Sequence, residues 1–281
     1  MPMRVIDAHQ HFWCLATPGH EWPTARETRI HRDFGPDDLA AETAGTVLAG
    51  TVLVQSQPTD ADTDWMLSLA RQHAMVRAVV GWVDLAAPDA PDRIVALAAE
   101  PKLRGLRPML QSIADTDWLL QDRLAPALDA MEARGLRLDA LVQPRHLTML
   151  ARLAERRPGL KIVIDHAAKP HADRHEIDPW AKEIAALGRL GLWCKLSGLR
   201  TEQAIGQPAD DLAPYVEHLV ARFGERLMWG SDWPVLLLSG DDWRRWLDDS
   251  IRLAGKAGAD ADRLFAGAAT DFYTLEKTDE V

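Results

Sequence analysis

Two histidines separated by one residue, His9 and His11, close the run Val5-Ile6-Asp7-Ala8-His9-Gln10-His11. In an extended strand, residues i and i+2 share a side, so both imidazoles project together. Paired imidazoles suit a divalent ion such as zinc, or polarise a substrate carbonyl directly. A third imidazole follows another apolar run at Ile164-Asp165-His166, and a carboxylate ends a further one at Trp229-Gly230-Ser231-Asp232. A carboxylate beside imidazoles is what water activation needs: a base for the proton and a positive field for the oxyanion that forms. Each residue alone also has a plain structural reading. The His-x-His pair is then a chance loop feature, His166 a hydrogen-bonded half-buried histidine, and Asp232 a helix N-cap. Read jointly, all four fall at the end of a short apolar run.

Eight such runs recur, at 4–6, 50–55, 76–83, 103–109, 138–143, 160–164, 191–196 and 226–229. Each is rich in Val, Ile or Leu and nearly continuous in apolarity, as strands buried on both faces of a parallel sheet are. Helical patterns lie between them, at 64–73, 122–134, 147–156 and 214–223. Asp38, Asp60, Thr148 and Asp178-Pro179 read as helix starts, and Gly135, Gly159, Gly188 and Gly224 as stops. Strand and helix alternating eightfold predict an α/β fold, a distorted (β/α)₈ TIM barrel, as one domain over residues 1–281. An open doubly wound sheet usually has a glycine-rich turn after its first strand; here that place holds Asp7-Ala8-His9-Gln10-His11. In a barrel, polar residues at strand C-termini read as catalytic. The stretch 14–36, long and interrupted by prolines and glycines, reads as a functional loop.

Composition narrows the function class. Net charge is −10, with only short basic pairs such as Arg156-Arg157 and Arg244-Arg245, opposite to what a duplex-binding protein shows. Of 281 residues, 47% are hydrophobic and 26% charged, which suits a buried core rather than a disordered chain. No run reaches the roughly 20 apolar residues of a membrane span. The start runs directly into a strand pattern without a leader, so a cytoplasmic protein is expected. Cys14 and Cys194 are too few for a disulfide scaffold and read as small buried residues.

The segments Val5-Ile6-Asp7-Ala8-His9-Gln10-His11-Phe12-Trp13 and Trp229-Gly230-Ser231-Asp232-Trp233-Pro234 resemble the amidohydrolase superfamily, and more narrowly its lactonase group. Gly105-Leu106-Arg107 and Asp165-His166-Ala167-Ala168-Lys169-Pro170 are similar to that group too, and the resemblance covers residues 5 to about 273. It implies that His9 and His11 are the first-strand histidines, His166 the sixth-strand histidine, and Asp232 the eighth-strand aspartate that activates water. It implies a hydrolase of carbohydrate metabolism that opens a sugar-acid lactone of the L-fucono or L-rhamnono type. The chain departs from binuclear members of the superfamily: the fourth run carries Arg107 where they have a bridging Lys or Glu, and the fifth ends in Gln143 with His146 beyond Pro144. One divalent ion on His9, His11, His166 and Asp232, or none, both fit this set.

For the substrate, Arg107 offers a planar fork of donors to hydroxyls or a carboxylate; its structural alternative is an ion pair. Gln55, Gln143 and Lys195 stand at run ends and can bond sugar hydroxyls, while Lys169 pairs with a loop carboxylate. Among eleven tryptophans, Trp13, Trp82 and Trp233 fall at run ends, where an indole stacks on an apolar sugar face. A dicarboxylate would call for several converging arginines; only Arg107 clearly qualifies, with Arg145 and Arg200 as loop candidates. The alternatives are therefore a 2-pyrone-4,6-dicarboxylate-type lactonase, a metal-dependent decarboxylase of the same superfamily, and a non-catalytic barrel that binds a sugar acid.

Overall fold

All eight apolar runs become strands in the computed structural model, which describes residues 3–275. They are β1 (Val5–Gln10), β2 (Leu48–Val54), β3 (Val76–Gly81), β4 (Leu103–Leu106), β5 (Arg137–Ala140), β6 (Ile162–Ile164), β7 (Trp193–Leu196) and β8 (Leu227–Trp229). Each pairs in parallel with the next, in the order β1 to β8. The helices are α1 (Pro36–Glu42), α2 (Asp60–Gln72), α3 (Ala90–Leu97), α4 (Ala125–Ala133), α5 (Leu147–Arg156), α6 (Trp180–Arg189), α7 (Ala213–Phe223), α8 (Trp243–Lys256) and α9 (Ala268–Tyr273). The arrangement is a (β/α)₈ barrel, and no helix among the described residues is long and apolar enough to cross a membrane.

The barrel closes past the end of β8 rather than along it. Gln10 pairs with Trp233 in a single parallel bridge, His11 N donates to Trp233 O at 2.8 Å, and Asp232 N donates to His9 O at 2.8 Å. The Asp7 carboxylate stitches the same seam, accepting from Ser231 N and from the Trp243 indole, both at 2.8 Å. Gly230 permits this closeness: a Cβ there would stand 2.7 Å from His9 Cβ.

A β-bulge in β1 decides what its end presents. Asp7 pairs with Thr51 and Gln10 with Leu53, so three steps along β1 match two along β2. Below the bulge, Ile6 and Ala8 pack with Val80, Val163 and Met228 across the barrel interior. Past it, His9 and His11 point inward instead. The bottom of the barrel is plugged by the C-terminal segment, with Phe272 and Tyr273 in that same cluster.

Several local signals landed one or two residues away. Thr59, not Asp60, caps α2, accepting from Asp62 N. Gly35 occupies the cap of α1, and Asp38 reaches back to Gly35 N at 2.9 Å as the third helical residue. α5 starts at Leu147 directly after a short helical turn, so Thr148 caps nothing. Pro179 sits at the cap of α6 rather than inside it. Gly135 and Gly224 do end helices with positive φ (64° and 48°). Gly188 lies within α6, where a Cβ would stand 2.7 Å from the Arg222 carbonyl of α7. That glycine serves close helix packing.

Candidate active site

The His-x-His pair, His166 and Asp232 meet at the C-terminal mouth of the barrel. His9 Nε2 stands 3.1 Å from His11 Nε2. Asp232 Oδ1 lies 3.3 Å from His11 Nε2, 3.7 Å from His9 Nε2 and 3.8 Å from His166 Nε2. His11 Nδ1 is 2.8 Å from the Val54 carbonyl. A carbonyl only accepts, so Nδ1 carries the proton and Nε2 turns a lone pair toward Asp232.

The backbone around these groups is unusual. Asp232 has φ 58°, and His166, Ala167, Ala168 and Lys169 have φ of 51°, 49°, 61° and 53°. Left-handed backbone at non-glycine residues costs energy and clusters at functional sites. The turn aims the His166 ring at the mouth, where its Nδ1 pairs with Ser197 Oγ at 2.9 Å. Gly198 (φ 64°) makes room for that ring: a Cβ there would stand 2.4 Å from His166 Nδ1.

Burial, and then the nearby Lys195 ammonium, push the His9 imidazole well below the usual histidine range. Burial does the same to His166, against the pull of Asp232. Both rings are therefore neutral at pH 7 and free to act as ligands or hydrogen-bond partners. Burial would raise the Asp232 carboxyl, but the surrounding His166, His11 and Lys169 outweigh it and hold it below its usual range. It is an anionic carboxylate beside the imidazoles.

Beneath the mouth lies a buried ionic layer. Lys195 of β7 is fully buried, and its Nζ stands 2.5 Å from Asp139 Oδ2, 3.0 Å from Asp165 Oδ1 and 3.2 Å from His9 Nδ1. Tyr273 donates to Asp139 Oδ2 at 2.6 Å. Arg107 Nη1 lies 3.5 Å from Asp165 Oδ2 and 3.4 Å from His9 Nε2. Burial would raise the Asp165 carboxyl, but Lys195, His9 and Arg107 hold it well below the ordinary value. Burial raises Asp139, with Asp165 adding to it against Lys195. Asp139, Tyr273 and Asp7 had no place in the sequence reading. The signal was present, for a carboxylate inside the apolar run Leu138-Asp139-Ala140-Leu141 must find a partner when both faces are covered.

Above the four residues opens a cavity of about 380 Å³, lined by His11, His166 and Asp232 together with Arg107, Lys169, Gln57 and Trp22. Ser56, Glu21, Gln111 and Ser112 add polar atoms, and Met109, Leu141 and Val235 apolar ones. The loop before α1 supplies Glu21 and Trp22. Its two ends are tied by a Trp13–Phe34 bridge. Gln57 fastens its middle, accepting from Glu21 N at 2.9 Å and donating to Trp22 O at 2.5 Å.

Of the residues expected to touch substrate, only Arg107 lines this cavity. Lys195 is the main correction: it lies under His9, locked between carboxylates. Gln55 is fully buried and spends its amide on the Arg107 carbonyl at 2.9 Å. Gln143 turns aside to accept from Arg145 at 3.1 Å. Trp13 and Trp233 are buried in an edge-on aromatic cluster with Phe34 that supports the loop. Trp82 also lies away from the cavity, so the aromatic wall is Trp22. Arg145 and Arg200 are engaged elsewhere, with loop carbonyls and with Asp241. Lys169 does pair with a loop carboxylate, Glu202, at 3.2 Å.

His9, His11 and Asp232 each offer one ligand atom, all within 4.8 Å of one another. Two imidazole nitrogens and a carboxylate oxygen form a donor set that fits a divalent ion such as zinc. His166, the expected fourth ligand, is not in this group; its Nδ1 pairs with Ser197 Oγ, and its Nε2 lies 3.8 Å from Asp232 Oδ1.

The sequence profile of the Amidohydrolase family matches residues 6–275. An L-fucono-1,5-lactonase of Burkholderia ambifaria is 46% identical over 278 residues, covering 97% of this chain and 96% of that one. An L-fucono-1,5-lactonase of Burkholderia multivorans is 34% identical, covering 96% of each. Among solved structures, an amidohydrolase from Burkholderia multivorans with bound zinc superposes with a TM-score of 0.88 at 34% identity, covering 97% of this chain and 100% of that one.

Proposed function

The chain belongs to the amidohydrolase family, and on that premise we propose that it hydrolyses a sugar-acid lactone of the L-fucono-1,5-lactone kind. The observation that carries this is the meeting of one anionic carboxylate, Asp232, with the imidazoles of His9, His11 and His166 beneath a cavity with both polar and apolar walls. The two lactonases of 46% and 34% identity narrow the substrate. The cavity agrees with a polyhydroxylated ring: Ser56, Gln111 and Ser112 offer hydrogen bonds, and Trp22 an apolar face. A dicarboxylate is less well served, since Arg145 and Arg200 do not reach the cavity.

In the proposed reaction, Asp232 takes a proton from water while the water oxygen bonds to the lactone carbonyl carbon. A positioned base contributes roughly 10²- to 10⁴-fold. Arg107, at the cavity floor, donates to the oxygen that becomes negative. The bond from that carbon to the ring oxygen then breaks, and the ring oxygen receives the proton held by Asp232, with His166 beside it. The product is the open hydroxy acid. His9, His11 and Asp232 would hold a divalent ion, which supplies Lewis-acid polarisation of the carbonyl when bound. A reducing, cytoplasmic setting belongs to the same proposal, as both cysteines are free.

The test is a panel of L-fucono-, L-galactono-, L-rhamnono- and D-series lactones read with a pH indicator, with and without chelator. L-Fucono-1,5-lactone is expected to be opened fastest. If no lactone is opened while an aromatic carboxylate loses carbon dioxide, the proposal fails.

A further inference from the structure

His9 sits between two donors that compete for it. Lys195 Nζ lies 3.2 Å from its Nδ1, with hydrogen-bonding geometry. Arg107 Nη1 lies 3.4 Å from its Nε2. A neutral imidazole has one accepting nitrogen, so it can satisfy only one of them. The nearer is Lys195, which is fully buried and anchored by Asp139 at 2.5 Å. If Nδ1 accepts from Lys195, the ring proton is on Nε2, which faces the bare Nε2 of His11 at 3.1 Å. The chain is then complete: Lys195 donates to His9, His9 to His11, and His11 to the Val54 carbonyl.

That chain leaves one group out. Both oxygens of the fully buried Asp165 lack a well-formed hydrogen bond and are held by ion pairs alone, Oδ1 with Lys195 Nζ at 3.0 Å and Oδ2 with Arg107 Nη1 at 3.5 Å, although Oδ1 also lies 3.3 Å from His9 Nδ1. Buried carboxylate oxygens are seldom left so. Asp165 is placed for the other tautomer, in which Nδ1 carries the proton and the Nε2 lone pair is open. Only that tautomer can ligate a cation alongside His11 and Asp232, and carboxylate–histidine–metal pairing is its usual support.

We propose that Lys195 and Asp165 form an opposed pair that selects the His9 tautomer: Lys195 holds the proton on Nε2, and Asp165 receives it on Nδ1 when a divalent ion binds. The pair thereby sets the affinity of the His9–His11–Asp232 site for the ion. The proton moves from one ring nitrogen to the other, so His9 stays neutral throughout. Lys195 and Asp165 act here as positioning residues, through His9.

The experiment uses the full chain stripped with chelator, zinc chloride as probe, and ¹⁵N-labelled histidine for long-range ¹H–¹⁵N spectra, with the His9 signal assigned by its loss in His9→Gln. The stripped parent is expected to show His9 protonated on Nε2 and His11 on Nδ1. The double variant Asp139→Asn/Lys195→Met removes one buried charge of each sign. It is expected to show His9 protonated on Nδ1 and to bind zinc more tightly by roughly 10-fold or more, the scale on which such supporting partners act. The single variant Asp165→Asn keeps the Lys195–Asp139 pair and is expected to bind zinc roughly 10-fold more weakly, with His9 still protonated on Nε2. A stripped parent already protonated on His9 Nδ1 overturns the proposal. So does a folded double variant with unchanged tautomer or weaker zinc binding. Should the double variant not fold, unchanged or tighter zinc binding by Asp165→Asn overturns it alone.

Discussion

His11 Nδ1 lies 2.8 Å from the carbonyl oxygen of Val54, and that one bond decides which ring nitrogen faces Asp232. A strand neighbour thus orients an imidazole whose partner carboxylate comes from the far end of the chain.

Asp232→Asn keeps the shape of the side chain and removes its basicity. Lactone hydrolysis is expected to fall by roughly 10²- to 10⁴-fold in kcat, with the thermal midpoint within a few degrees of the parent or higher. A variant as active as the parent would exclude Asp232 as the base.

Gly198 and Gly206 both have left-handed backbone, φ 64° and 88°, but only Gly198 is crowded, by His166. Gly206→Ala should cost about 1–2 kcal/mol of stability, the left-handed penalty alone. Gly198→Ala should cost more and lower kcat as well, because its Cβ displaces the His166 ring. Urea titrations and kinetics on the two variants separate strain from displacement; equal effects on kcat would refute the role given to Gly198.

Gln57 is 1% exposed and fastens the Glu21-Trp22 stretch over the cavity. Gln57→Ala removes hydrogen bonds worth about 0.5–1.5 kcal/mol each. KM for the lactone is expected to rise roughly 3- to 10-fold per lost bond, with kcat changed much less. A fall in kcat at constant KM would place Gln57 in the chemistry rather than in holding the loop.

Lys195→Met leaves Asp139 and Asp165 buried without their ammonium. Breaking a buried pair from one side costs about 3–5 kcal/mol. Adding Asp139→Asn should recover a good part of that loss, since one uncompensated charge goes. A denaturant midpoint in the double variant no higher than in Lys195→Met would argue against the layer as an energetic unit.

Below neutral pH the fold should weaken through its histidines. Burial lowers His9, His166, His146 and His218 below 6.5 in the folded chain. The unfolded chain therefore binds protons first, and stability, full above 6.5, is lost as pH falls from there toward the lowered folded values. Asp7 and Asp62, raised by burial, act with the opposite sign. His218, whose Nε2 donates to the Ala181 carbonyl at 2.8 Å, isolates the effect. His218→Gln should lose less stability than the parent between pH 7.5 and 5.5 in urea titrations; parallel curves would mean that His218 does not contribute.

The eight strands, their parallel order and the four residues at the mouth were legible in the chain because each leaves a local mark: an apolar run that stops at a His or an Asp. What surrounds those residues leaves no such mark. Period-two alternation counted from Ile6 and Ala8 would turn His9 and His11 outward; only the β-bulge against β2 reverses them. Lys195 and Gln143 both end strand-like runs, yet one points down into a buried carboxylate layer and the other aside to Arg145. Tryptophans at run ends proved to be packing, while Trp22, within a loop, came to the cavity through Gln57. Run ends are set by neighbours in sequence, whereas the direction of a side chain beyond them is set by register, bulges and partners from distant strands, which exist only once the barrel closes.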